Sequence, residues 1–144
     1  MRSLSCMAAL PFLAAIANAQ VKPPGAPWLV IGSSRQLRVS LDTATIRRDT
    51  IGTRVWMRFD YTEPQPVPSG TGAREGASFV RTDVQQYLDC ASQRVRDIEL
   101  QLFDATGRQV GDTTWQPPRW LLFSRHPLDK YFRLACDGLR ASGK

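Results

Sequence analysis

Histidine is nearly missing from this chain: His126 is the only one in 144 residues. Its scarcity removes the usual acid–base group near neutral pH. With three cysteines in all, the chain also lacks the soft ligands that a metal site of three or four donors requires. Long apolar runs are missing too. The run from Leu4 to Ile16 is broken by Pro11 and falls short of the ~18 residues needed to span a bilayer. No nucleophile elbow, phosphate loop, H-E-x-x-H or calcium loop occurs. The three glycines between Ser69 and Gly76 match no phosphate cradle, and the acids are scattered singly. No enzyme, cofactor or metal is therefore expected, and His126, beside Pro127, reads as a cap or loop residue.

What is present points to export. Arg2 opens a short apolar segment that ends in Ala17-Asn18-Ala19, a small-x-small site of the kind a signal peptidase cleaves. Residues 1–19 thus read as a signal peptide, with Gln20 as the new N-terminus. Cys6 lies too early in the segment to carry a lipid, so no lipid anchor is expected. Periplasm or cell surface is the expected location. Cleavage leaves about 125 residues, enough for one domain with one core.

Cys6 leaves with the signal, and Cys90 and Cys136 remain. In an exported chain two cysteines pair as one disulfide. The basic residues are 16 arginines and 3 lysines against 13 acids. Arg35, Arg38, Arg47, Arg48, Arg54 and Arg58 fall close together, with only Asp42 and Asp49 among them. A solvated charged face is the plain reading of such a cluster; attraction of polyanions such as heparin-like glycans or anionic lipid is the functional one. Nucleic acid is not an expected partner.

Period-two alternation dominates the chain. It predicts strands over 28–33, 36–41, 53–61, 79–90, 94–103 and 109–114, with 84–103 as a central hairpin. Residues 20–27 hold three prolines and a glycine and read as an irregular lead-in. Thr45 to Arg48 suits a short strand or one helical turn. Thr62 to Ser78, rich in proline and glycine, reads as a long loop. On the strand 53–61, Trp56 interrupts a polar face, and packing is favoured over exposure for so large a ring. Trp115 to Pro118 should stop strand pairing. After it, Leu128, Tyr131, Phe132, Ala135 and Leu139 fall at helical spacing, with Pro127 as the first helical residue, Ser124 or His126 near the cap and Gly138 near the end. The expected fold class is α+β: an antiparallel sheet of about six strands, packed on one face by a C-terminal α-helix carrying Cys136.

In order along the chain, W-L-V-I-G-S at 28–33, V-W-M-R-F-D-Y at 55–61, D-C at 89–90 with the following R-V-R-D-I strand, W-Q-P-P at 115–118 and the helix closing on Cys136 resemble the surface-adhesin protein E family of Gram-negative bacteria. The matching residues span Trp28 to Cys136; the domain is expected over 28–140, with 141–144 as a flexible tail. The resemblance implies a non-enzymatic adhesin-like protein that binds host matrix or serum proteins such as vitronectin and laminin. The alternative is a periplasmic accessory or inhibitor protein that binds another envelope protein. The candidate binding surface is Arg38, Arg47, Arg48, Arg54, Trp56 and Arg58. An exposed sheet edge would also allow two copies to pair as a homodimer.

Overall fold

The computed structural model describes residues 28–114, 119–141 and 143. The expected signal peptide, the lead-in at 20–27 and the strand-stopping Trp115 to Pro118 lie outside the described residues.

Among the described residues the chain forms eight antiparallel strands, the longer ones from alternating apolar and polar side chains: β1 Trp28–Ser33, β2 Leu37–Asp42, β3 Arg47–Arg48, β4 Thr53–Pro66, β5 Ser78–Asp89, β6 Arg94–Phe103, β7 Gln109–Thr114 and β8 Leu121–Leu122. Helix α1, Asp129–Ala141, follows a 3₁₀ turn at Phe123–Arg125. Six strands make one continuous ladder in the order β1-β2-β4-β5-β6-β7. The expected count of about six is corrected to eight, because the two-residue strands β3 and β8 pair with β4 and β6. Both are too short to show a period in sequence. Of the two readings of 45–48, the strand is therefore the one the chain adopts.

The central hairpin β5–β6 is as expected, but a bulge interrupts the alternation of β6. Gln86 opposes Asp97 and Gln85 opposes Glu99, so Ile98 is an extra residue. The bulge switches the parity of β6. Val95, Leu100 and Leu102 face the core, and Asp97 shares that side with them. Strand β4 is longer than predicted, reaching Pro66 and pairing Gln65 with Phe79 and Pro66 with Ser78. Beyond Thr62 it has outrun β2, so prolines that cannot donate have no second neighbour to satisfy there. The expected loop is correspondingly shorter.

Val39, Leu41, Val55, Met57 and Phe59 form the core face of the sheet, and Tyr131, Phe132, Ala135, Cys136 and Leu139 of α1 seal it. Phe132 is fully buried and packs on Phe123 with ring centroids 5.3 Å apart. Each large side chain buried this way contributes roughly 1.5–3 kcal/mol. The helix comes close to β1: a Cβ on Gly32 would meet the Tyr131 ring at 2.9 Å, so glycine is what allows the helix to approach. Gly107, at φ +83°, supplies the left-handed residue of the β6–β7 turn.

Two fastenings hold α1 to the hairpin tip. Cys90 and Cys136 form a disulfide with Cα atoms 5.7 Å apart. Beside it, Arg133 Nη1 donates to Gln93 Oε1 at 2.7 Å, and the Phe123 N–H donates to the Gln93 carbonyl at 2.8 Å. The helix begins at Asp129 rather than Pro127, and Gly138 lies inside it. The start is later because Phe123–Arg125 takes up a separate 3₁₀ turn. His126 Nδ1 accepts the Leu128 N–H at 3.2 Å, as a cap residue would.

Candidate functional site: the polar face of the sheet

One face of the sheet is spent on the helix. Among the described residues, no helix or strand packs on the other. Cross-strand register sorts that second face into rows that run across the strands. One row is Arg38, Asp60, Arg81 and Phe103 on β2, β4, β5 and β6. The next is Ser40, Arg58, Asp83 and Gln101 on the same strands, continuing to Asp112 on β7. In these two rows opposite charges meet along β4, at Arg58 and Asp60, and across it, at Arg58–Asp83 and Asp60–Arg81.

This lattice is largely closed on itself. Arg58 Nε and Nη2 donate to the two Asp83 oxygens, both at 2.8 Å. The Arg58 guanidinium also lies 4.0 Å from the centre of the Trp28 ring. Burial opposes its charge, and the Asp83 carboxylate more than offsets that, so its pKa rises. Arg81 Nε approaches Asp83 at 4.0 Å, and its guanidinium stacks 4.0 Å from the Phe103 ring centre. Asp60, half-buried between Arg38 and Arg81, has its pKa raised by burial against the pull of Arg58 and Arg81.

The candidate binding residues thus separate. Arg38 and Arg47 are exposed, and Arg54 is half-buried. Arg48 is exposed but opposes Thr53, which puts it on the other side of β3 from Arg47. Trp56 is only 9% exposed, in keeping with the packing reading, and offers little to a partner. Arg58 is held by Asp83 and Trp28. A third row, Arg47, Arg54, Tyr87 and Arg96, crosses β3, β4, β5 and β6. Tyr87, Arg96 and Trp120 escaped sequence reasoning as site residues. The alternation of β5 was an available signal for Tyr87, but Arg96 shares sequence parity with Leu100 and Leu102 and reaches the polar side only through the bulge at Ile98. Tyr87 donates its hydroxyl to Asp49 Oδ2 at 2.8 Å. The Asp49 carboxyl is held below its usual range by the Ile51 N–H first and by Tyr87 next.

On the helix side, the polar group to note is His126. It is half-buried with its ring 4.8 Å from that of Phe132. Burial pushes its pKa down, against the opposing pull of Asp97 and Asp129. Gln86, on the same side, donates to Asp97. A lowered folded-state pKa means that the unfolded chain binds the extra proton first. Stability is therefore full above the ordinary histidine value near 6.5 and falls as pH drops through it. Protonation also turns Nδ1 into a donor, which breaks its bond to Leu128. The urea midpoint should fall between pH 7.5 and 5.5, and His126→Asn, which keeps an acceptor for Leu128, should flatten that fall. An equally steep fall in the variant would assign it to other groups.

Sheet, helix and staple define the class: a single antiparallel sheet backed on one face by a disulfide-anchored helix, with a polar, arginine-rich opposite face. The chain belongs to the surface-adhesin protein E family, whose model matches residues 28–137. Membership supports an adhesin-like surface protein. No curated protein and no solved structure matches the chain. Among the described residues, no helix is long and apolar enough to cross a membrane, and no three His, Cys, Asp or Glu side chains gather to hold a metal.

Proposed function

We propose that the protein is an exported, non-enzymatic binding module that engages an extracellular host protein of the matrix or serum through the polar face of its sheet. The observation that carries this reading is the division of labour between the two faces. The helix and the disulfide occupy one, and the other presents charged side chains on a rigid ladder, a form suited to electrostatic complementarity with a protein surface. Arg38 and the neighbouring edge residue Val30, 54% exposed, are the contact residues this reading selects.

The test is binding of the exported chain to immobilised vitronectin and laminin. Arg38→Glu with Val30→Asp should weaken binding at least about tenfold, the effect of losing ~1.4 kcal/mol, and leave Tm unchanged. Lys130→Glu, on the exposed side of α1, should do nothing. Equal losses from both variants would refute the face assignment. Absence of matrix binding, together with co-purification of one periplasmic protein, would replace it with the accessory-protein reading.

A further inference from the structure

We propose that the row Arg47–Arg54–Tyr87–Arg96 is a binding site for a sulfated polysaccharide. The inference concerns a different ligand from the protein partner above and stands on different residues.

Register places these four side chains in one line across four neighbouring strands. At about 4.8 Å per strand, the line is roughly 14 Å long. Its charges differ from those of the rows beyond it. Arg58 and Arg81 share Asp83, whereas none of Arg47, Arg54 and Arg96 forms an ion pair among the described residues. Asp49, whose carboxylate feels the charge of Arg54, spends its oxygens on the Tyr87 hydroxyl and the Ile51 and Gly52 N–H groups. Arg47 and Arg54 stand directly opposite each other, a like-charge pair that destabilises the sheet unless an anion lies between them.

Arg96 adds a second, independent observation. Its Nε is buried with no hydrogen-bond partner. Its guanidinium is held between two rings, 5.4 Å from that of Tyr87 and 5.6 Å from that of Trp120. With Nε buried, a guanidinium fixed in this way meets a tetrahedral oxyanion through its Nη groups, and it loses little entropy on binding.

The shape of the site selects the occupant. The unpaired cations form a line one residue wide, with Gln85 and Glu99 paired across β5 and β6 on the polar face beyond it. Such a line fits a linear polyanion better than the plane of a membrane. Tyr87 is buried and its ring is taken by Arg96, so nucleic-acid bases find no stacking platform there. A chain of sugars bearing sulfates at intervals meets both conditions.

The experiment measures binding of the full exported chain to heparin at physiological ionic strength and across a salt series. Inorganic polyphosphate, single-stranded DNA and phosphatidylserine vesicles serve as comparisons. Arg47→Gln with Arg54→Gln should raise the heparin Kd at least tenfold and reduce the log–log salt slope by roughly one per cation removed. Arg74→Gln with Arg125→Gln makes the same charge change at exposed positions elsewhere and should shift Kd less than twofold. Arg96 is left intact in both because it also packs. The proposal fails if the control pair weakens heparin as much, or if wild type does not bind heparin at physiological salt. It fails equally if polyphosphate, DNA or vesicles bind as tightly with the same residue dependence.

Discussion

Replacing Cys90 and Cys136 with alanine should cost the domain about 3 kcal/mol and lower its Tm by on the order of 10 °C. The bridge joins residues 46 positions apart, so it removes a large share of the freedom of the unfolded chain. On the chain-entropy account a loop of this size is worth up to about 4 kcal/mol, comparable to the whole net stability of many small domains. It also sets where the helix sits. Cys136 is one helical turn from Phe132, the fully buried centre of the helix–sheet contact. The pairing of Arg133 with Gln93 is exposed and cannot replace the covalent link. Thermal unfolding with and without reductant measures the effect. The expected loss should appear in wild type on reduction and be absent from the double alanine variant. A reduced wild type that melts with the oxidised one would show that packing alone holds the helix.

Arg58→Met should be nearly as damaging, at about 3 kcal/mol, although the residue lies on the polar face. The Asp83 side chain is only 5% exposed. Without Arg58 it keeps Arg81 Nε at 4.0 Å and loses both short hydrogen bonds. A buried carboxylate stripped of its partner costs far more than the pair contributes net. Adding Asp83→Leu to Arg58→Met should therefore recover more than half of the loss, because the orphaned charge is gone. Denaturant titration of the two single variants and the double variant forms the required cycle. A single-variant cost below about 1 kcal/mol, the level of an exposed ion pair, would place Arg58 among the freely solvated arginines.

The same pair explains why the basic cluster looked different in sequence. Between Arg35 and Arg58 the chain offers only Asp42 and Asp49 as acids, and the segment reads as strongly positive. The acid that binds Arg58 sits 25 positions away on β5, and sheet register alone brings it across. What remains of the cationic surface is smaller, and it shifts toward Arg47, Arg54 and Arg96. Local patterning was informative where neighbours decide the outcome. The ladder strands, the amphipathic helix and the cysteine pairing were all readable. Single-residue geometry was not. The bulge at Ile98 moves Asp97 to the core side, and no periodicity announces it. Strand β4 runs through Pro64 to Pro66 because its second neighbour has already ended, a fact of topology rather than of composition. Arg96, held between Tyr87 and Trp120, depends on three segments meeting, and only the fold brings them together.

The central claim is that the helix-covered face is structural and that binding belongs to the polar face. Arginine footprinting with a dicarbonyl reagent, read by mass spectrometry with and without bound heparin, tests it most directly. Arg47 and Arg54 should become protected on binding, while Arg133 and Arg140 on α1 react at an unchanged rate. Protection of the helix arginines, with Arg47 and Arg54 still fully reactive, would contradict it.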